Sequence, residues 1–312
     1  MILAPLRGVT IRCFRETFAD EIRTAGFTEA VTPFITAIEG FDPLKDRELR
    51  GCGGEGTPAP YGSGAGVPSR PQLKLTPQFI GKDPVALRAC LEKVKAAGYD
   101  TADLNCGCPY PMVRNKGRGS GILRTPDVLR RMLEVGCEVM GAGKFSMKAR
   151  LGVDRNDELL KLMPMINEFP LRFLTVHART ARQMYEGRCD GEMVREIAHV
   201  AKVPIVLNGD IPFPQLSPSH PLTLSPSHPL TFSPSHQMIG RSFIRYLGTR
   251  EDSGELLRRY IAASQAELCG EHPVLGRMKE LIAYWKELPR WRHRWDVIKL
   301  CRSVDELKSC LV

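Results

Sequence analysis

No apolar run in this sequence approaches the roughly 18 residues that a membrane-crossing helix needs, which excludes a transmembrane span and a membrane partner. The N-terminus lacks the basic region and apolar core of a secretory signal, since Met1-Ile2-Leu3-Ala4-Pro5 runs straight into the chain. Paired Cys/His spacings of a zinc site are missing too: Cys106 and Cys108 are too close together and too isolated from other such pairs, so no metal is expected. With no secretory signal, the 10 cysteines read as free thiols of a reducing compartment and not as a disulfide framework. A cytoplasmic, monomeric protein is expected.

What is present is ordinary for a globular chain: 312 residues, 43% hydrophobic and 25% charged. That length holds one large domain and a smaller one. The formal charge of +9 is compatible with a polyanionic partner, although many basic proteins never touch nucleic acid.

Short apolar strands at 2–5, 27–34, 73–80, 101–104, 144–148, 173–176 and 203–207 alternate with helical patterns at 10–22, 83–97, 125–139, 154–168 and 192–200. Thr10 and Thr125 stand as N-caps, and Pro164 should kink the fourth of these helices. This alternation has the spacing of an α/β fold, a (β/α)8 TIM barrel, over 1–248. Two stretches break it. Residues 51–71 are dense in Gly, Pro and Ser and read as a mobile insert. Within 212–236 the octad Leu-Ser-Pro-Ser-His-Pro-Leu-Thr occurs at 216–223 and again at 224–231. Its prolines forbid a helix, and its recurring His220, His228 and His236 read as part of a solvated insert before they read as ligands. From about 249 to 312 the chain is helical. Eight basic residues against three acidic ones lie between Arg277 and Arg302, among them Lys279, Arg290, Arg292 and Arg294, interleaved with Tyr284, Trp285, Trp291 and Trp295. Such a stretch is either a solvated surface over an aromatic core or a set of phosphate contacts with stacking platforms.

Chemistry concentrates in Asp103-Leu104-Asn105-Cys106-Gly107-Cys108-Pro109, followed by Gly117-Arg118-Gly119-Ser120-Gly121. The polar residues are expected just past a strand's C-terminal end, where a parallel barrel places its reactive groups. Lys148 leaves an inner strand, which is costly without an anionic partner. His177 and Arg179, two residues apart, face one side of an extended chain.

These motifs, with Pro5-Leu6-Arg7-Gly8-Val9 after the first strand, resemble the tRNA-dihydrouridine synthases, most of all their bacterial DusC branch. The resemblance covers nearly the whole chain apart from the two inserts; Leu6 replaces the family's usual Met. It implies an FMN enzyme that reduces the C5–C6 bond of a uracil in tRNA, with NADPH as electron source and a D-loop uridine, position 16, as target. Cys108 would be the general acid that protonates C5, being a thiol still protonated at neutral pH. The same likeness gives Pro5, Leu6, Arg7, Gln78, Lys148 and His177 to the flavin, and Asn208, Gly209, Asp210, Gly240 and Arg241 to its phosphate. Asn105 would orient base or flavin, and Arg179 would pair with uracil or a phosphate. Arg277, Lys279, Arg290, Arg292 and Arg294 would contact tRNA from the helical domain.

Two alternatives stay open at this point. One is an FMN barrel oxidoreductase acting on a free pyrimidine, which leaves the basic helices without a purpose. The other is a redox-inactive RNA binder whose barrel the repeat has broken.

Overall fold

The computed structural model describes residues 1–50, 73–213 and 237–311. Ten strands form within them: β1 (Ile2–Leu3), β2 (Glu29–Val31), β3 (Ile35–Thr36), β4 (Lys74–Thr76), β5 (Gln78–Ile80), β6 (Ala102–Cys106), β7 (Phe145–Gly152), β8 (Leu174–Thr180), β9 (Ile205–Asn208) and β10 (Met238–Ile239). Every ladder is parallel, in the orders β10-β1-β2-β4 and β3-β5-β6-β7-β8-β9.

The two sheets are one barrel. The expected strand over 27–34 runs as β2 and then β3, with Pro33 between them, and the one over 73–80 as β4 and β5, with Pro77 between. Proline has no N–H to give the ladder, so each course is broken there without changing direction. Across the other seam, a parallel bridge between Leu207 and Gln237 joins β9 to β10. The barrel therefore closes across the repeat. The calls on 51–71 and 212–236 lie outside the described residues, apart from Pro212 and Phe213. Those two belong to the barrel: Phe213 is fully buried, stacked on Phe27 at 6.1 Å and against Phe243 at 5.4 Å.

The helices α1 (Arg12–Thr17), α2 (Ala19–Thr24), α3 (Pro84–Ala96), α4 (Pro111–Arg114), α5 (Pro126–Met140), α6 (Glu158–Ile166) and α7 (Gly191–Val200) lie between the strands. The expected helix over 10–22 is two, parted at Phe18, yet Phe14, Phe18 and Ile22 do share a buried face. Thr10 does not cap it. Its hydroxyl donates to the Ala4 carbonyl at 2.9 Å and accepts from the Leu6 N–H at 2.7 Å, which ties down the first strand-to-helix loop. Thr125 likewise makes no side-chain cap, whereas Asp83 and Asp190 cap α3 and α7. At the N-terminal ends of the strands, the carboxylate of Glu29 takes two hydrogen bonds of 2.6 Å from Arg172 and a third from Thr76. This pair of a buried Glu29 and a half-buried Arg172 lies at one end of the barrel, and the cavity opens at the other.

A helix that the pattern did not reveal, α8 (Arg241–Thr249), follows β10 directly and buries Phe243, Ile244 and Leu247. Then come α9 (Ser253–Glu267), α10 (Glu271–Ile282), α11 (Pro289–Ile298) and α12 (Val304–Ser309). Tyr260 of α9 packs on Phe14 and Phe18 at 5.9 and 5.3 Å. Trp285 and Trp291 are fully buried, with ring centroids 4.7 Å apart, and donate their indole N–H groups to the Ile244 and Gly248 carbonyls. These tryptophans fasten the last helices to α8 and are not stacking platforms. A Cβ at Gly248 would lie 2.6 Å from the Trp285 ring. Gly248→Ala is therefore expected to lower stability by about 1–3 kcal/mol, the usual cost of overpacking, with a matching fall in Tm by calorimetry. An unchanged Tm would mean that Trp285 can withdraw freely.

No helix among the described residues is long and apolar enough to cross a membrane.

Candidate active site

A cavity of about 820 Å³ opens at the C-terminal ends of the strands. Register explains its centre. Asn105 of β6 is the ladder partner of Lys148 of β7, and Arg150 of β7 is that of His177 of β8. Residues two apart on a strand share a face, so Lys148 and Arg150, and His177 and Arg179, all point inward. Asn105 and Cys106 lie on the strand itself and not beyond it, because β6 extends to Cys106. Alternation then sends the Cys106 side chain into the core, fully buried, with its thiol pushed well above the usual range by burial.

The next turn brings Cys108 to the cavity wall. The Asn105 carboxamide oxygen accepts from the N–H groups of Gly107 and Cys108, at 3.1 and 2.9 Å, and Ser120 donates both its N–H and its hydroxyl to the Cys108 carbonyl. Gly119 takes φ +56°, and a Cβ there would stand 2.7 Å from the Cys108 Cβ, so the glycine-rich run lets a second loop close on the first. Burial raises the Cys108 thiol above its ordinary value, against smaller effects of the Tyr110 backbone, Arg7, Arg150 and Lys148. At neutral pH the thiol keeps its proton.

Cations dominate the wall. Arg7, Lys148, Arg150, Arg179, Arg241 and Arg245 line it, against the carboxylates of Asp210 and Glu280. Burial, then the charge of Arg150, pushes Lys148 down to about 8, while Asp103 and Cys108 work the other way. Burial and the surrounding cations hold His177 well below its usual range, so its ring is neutral at pH 7. Asp210 is paired with both Arg179 and Arg241, which hold its carboxyl below the ordinary value despite burial. Arg179 is spent inside the protein. Its guanidinium donates to the Glu186 and Gly187 carbonyls and to Asp210, fastening the loop after β8 to the turn after β9.

The turn after β9 is built for backbone donation. Gly209 sits at φ +119°, and a Cβ there would meet the Cys189 Sγ at 2.7 Å. Asn208 donates to the Met238 carbonyl at 2.8 Å, which holds this turn beside Gly240, where α8 begins. Two open turns at adjacent strand ends, with Arg241 alongside, suit a phosphate monoester.

Thirteen expected site residues line the one cavity: Pro5, Leu6, Arg7, Asn105, Cys108, Lys148, His177, Arg179, Asn208, Gly209, Asp210, Gly240 and Arg241. Gln78 does not. It is fully buried behind Asn105, its amide shared between Asp103 and Asn105. The five C-terminal cations do not line the cavity, and four of them are engaged within the chain. Arg277 pairs with Glu267 at 2.6 Å, Lys279 donates to the Lys299 and Cys301 carbonyls, and Arg290 donates to the Glu251 carbonyl at 2.6 Å. Arg294 lies over the Trp291 ring and Arg292 is exposed.

Sequence reasoning missed Arg150, Tyr185 and the contribution of Glu280 and Tyr284. Arg150 stands two residues after Lys148, the same spacing that singles out His177 and Arg179. Its guanidinium donates to the Gly107, Thr180 and Met184 carbonyls and lies 5.3 Å from the Tyr185 ring, as does that of Arg241. Glu280 of α10 has no local pattern that marks it, and Tyr284 just beyond it stands out only as one of the aromatics among the basic residues, not as part of the barrel's cavity. Among the described residues no group of three or more His, Cys, Asp or Glu is placed to hold a metal ion.

The chain is a closed parallel (β/α)8 barrel followed by helices, and the cavity at the C-terminal ends of its strands is lined by cations whose charge suits an anionic ligand. The dihydrouridine synthase family model matches residues 2–217, and the chain belongs to that family. It is 31% identical over 216 residues to the tRNA-dihydrouridine(16) synthase of Pseudomonas putida, a match covering 67% of this chain and 61% of that protein. The tRNA-dihydrouridine(16) synthase of Salmonella typhimurium is 27% identical over 217 residues, 68% of this chain and 64% of the relative. The tRNA-dihydrouridine synthase B of Pseudomonas aeruginosa is 27% identical over 217 residues, 69% and 59% of the two chains. The chain thus spans about 60% of the length of the curated relatives it matches.

Proposed function

We propose that this chain is a tRNA-dihydrouridine synthase, which reduces the C5–C6 bond of a D-loop uridine with FMN as cofactor and NADPH as electron source. Position 16 is the favoured target, after the two relatives that are tRNA-dihydrouridine(16) synthases. The observation that carries the reading is the Cys108 thiol, its loop pinned by Asn105, on the wall of a cationic cavity whose inner face holds Lys148.

The residues fit the cofactor. The turns at Asn208–Gly209–Asp210 and Gly240–Arg241 would take its phosphate, and Pro5, Leu6 and Arg7 would flank the ring. When bound, the flavin supplies the hydride for C6. The chain's own groups do the rest. Lys148 places a cation where negative charge develops. Cys108 holds the proton for C5, and its raised thiol keeps that proton across the neutral range. Neutral His177 can accept or donate a hydrogen bond without adding charge. The target base must leave its stack to reach the cavity, at least cost in an unpaired loop. Arg292 of α11, with Lys286 and Arg302 in the connections on either side of that helix, is exposed, and the three suit the phosphates of such an RNA.

The test is reconstitution with FMN, then turnover of unmodified tRNA with NADPH, with dihydrouridine read by nucleoside mass spectrometry. Dihydrouridine at one D-loop position is the expected result. Reduction of free uracil or orotate in place of tRNA would assign the chain to a free-pyrimidine oxidoreductase. Binding of tRNA with no flavin retained would make it an RNA binder without redox activity.

A further inference from the structure

Behind the cavity lies a buried chain of hydrogen bonds that can run in one direction only. The Ser146 hydroxyl donates to one Asp103 oxygen at 2.6 Å, and the Gln78 Nε2 donates to the other at 2.8 Å. The Gln78 Oε1 accepts from the Asn105 Nδ2 at 2.8 Å. The Asn105 Oδ1 then faces the N–H groups of Gly107 and Cys108. A backbone N–H only donates, so the Cys108 end by itself fixes how both amides must turn, and the Asp103 carboxylate, which burial pushes up to about 6, is the acceptor that matches it at the other end. Asp103, Gln78 and Ser146 are all fully buried, and water cannot replace a lost partner there.

We infer that Asp103 is a positioning residue: through Gln78 it holds the Asn105 oxygen toward the Cys108 loop and so sets where the thiol stands. The inference rests on the synthase reading only for its consequence in catalysis, since the direction of the chain is a property of the protein alone. It also gives Gln78 a task distinct from direct contact with a cofactor.

Reversing the middle of the chain tests this. Gln78→Glu puts a second carboxyl beside Asp103, and two carboxyls at that distance keep one proton between them. While the proton is there, the new carboxyl still donates to Asp103 and accepts from Asn105, so the direction survives. As pH rises and the proton leaves, two buried acceptors face each other with no hydrogen between them, and their repulsion drives the carboxylate at 78 out of line with the Asn105 amide. Adding Asp103→Asn removes the need for the proton. An amide at 103 donates to the carboxylate at 78, which still accepts from Asn105, and Ser146 still donates to the oxygen at 103.

The measurement is deuterium uptake at Gly107 and Cys108 in the full-length chain as purified, between pH 6.5 and 9, corrected for intrinsic exchange. In Gln78→Glu, protection should fall about tenfold or more as pH rises, the order expected for an unsatisfied buried amide. In the double variant it should return to the wild-type profile. Lys148 from β7, Glu29 from β2 and the Cys106 thiol are the other titratable groups acting on Asp103, and the wild-type profile carries their contribution. A pH-independent Gln78→Glu, or a double variant no better protected than the single one, would overturn the inference. Dihydrouridine formation, measured in parallel, should follow protection. If no variant and no wild-type sample makes dihydrouridine while the protection pattern holds, the synthase reading fails and the positioning role stands.

Discussion

Cys108→Ala is expected to keep its flavin and its Tm and to lose dihydrouridine formation by about 10²- to 10⁴-fold, the range for removal of a general acid. The loop should survive because it is held by backbone atoms: the N–H of residue 108 by Asn105, and its carbonyl by Ser120. Removing Sγ takes away none of these bonds. No neighbouring thiol can stand in. Cys106 is fully buried on the opposite face of its strand, and Cys189 lies against Arg179 and Gly209 at the far turn. The wild-type pH profile should fall on the alkaline side as the thiol ionises, at a pH above the ordinary cysteine range because burial raises it. That limb should be missing from whatever activity the alanine variant retains. Cys108→Ser should recover little, since a hydroxyl is a far weaker acid than a thiol. Turnover by the alanine variant at the wild-type rate would remove Cys108 from the proton-transfer role.

Local chemistry explains which parts were legible. Apolar runs marked seven of the eight strand courses, and proline stands where two of them break. The cavity wall was readable for the same reason: a polar residue at the end of an apolar strand has few structural excuses. Pairing across strands was not readable. Gln78 and Asp103 are 25 residues apart, and only the barrel's register makes them partners, so the bond between them had no mark in the sequence. Burial of the C-terminal aromatics was hidden too. Trp285 and Trp291 among arginines look like a stacking surface until α8 is present to cover them, and α8 follows a repeat that conceals where the barrel resumes. Arg277, Lys279 and Arg290 counted as RNA contacts in the sequence, but Arg277 is paired with Glu267, and Lys279 and Arg290 donate to backbone carbonyls of their own chain.

Lys148→Met should produce a protein that is more stable and nearly inactive. The ammonium is held in a cavity with Arg150 close by, and its ordinary value of 10.5 falls to about 8, so the folded chain disfavours the charge that the unfolded chain carries freely. Between pH 8 and 10.5 the unfolded state binds the extra proton, and wild-type stability should therefore rise with pH across that window. Below pH 8 the penalty is complete; above 10.5 it is gone. Methionine fills a similar volume without the charge, so its advantage in Tm should be full at pH 7, shrink from pH 8 upward and vanish above 10.5. Activity should move the other way. A cation placed in advance where negative charge develops contributes about 10²- to 10³-fold, and that much dihydrouridine formation should be lost. Flavin retention should weaken as well, since the cavity's inner cation is gone. Calorimetry of the flavin-free protein at pH 7 and 10.5 separates the two effects. A variant less stable than the wild type at pH 7 would mean that Lys148 is already satisfied by Asp103, with no penalty for an anionic ligand to relieve. A variant with full turnover would mean that the charge at the centre of this cavity serves the fold and not the reaction.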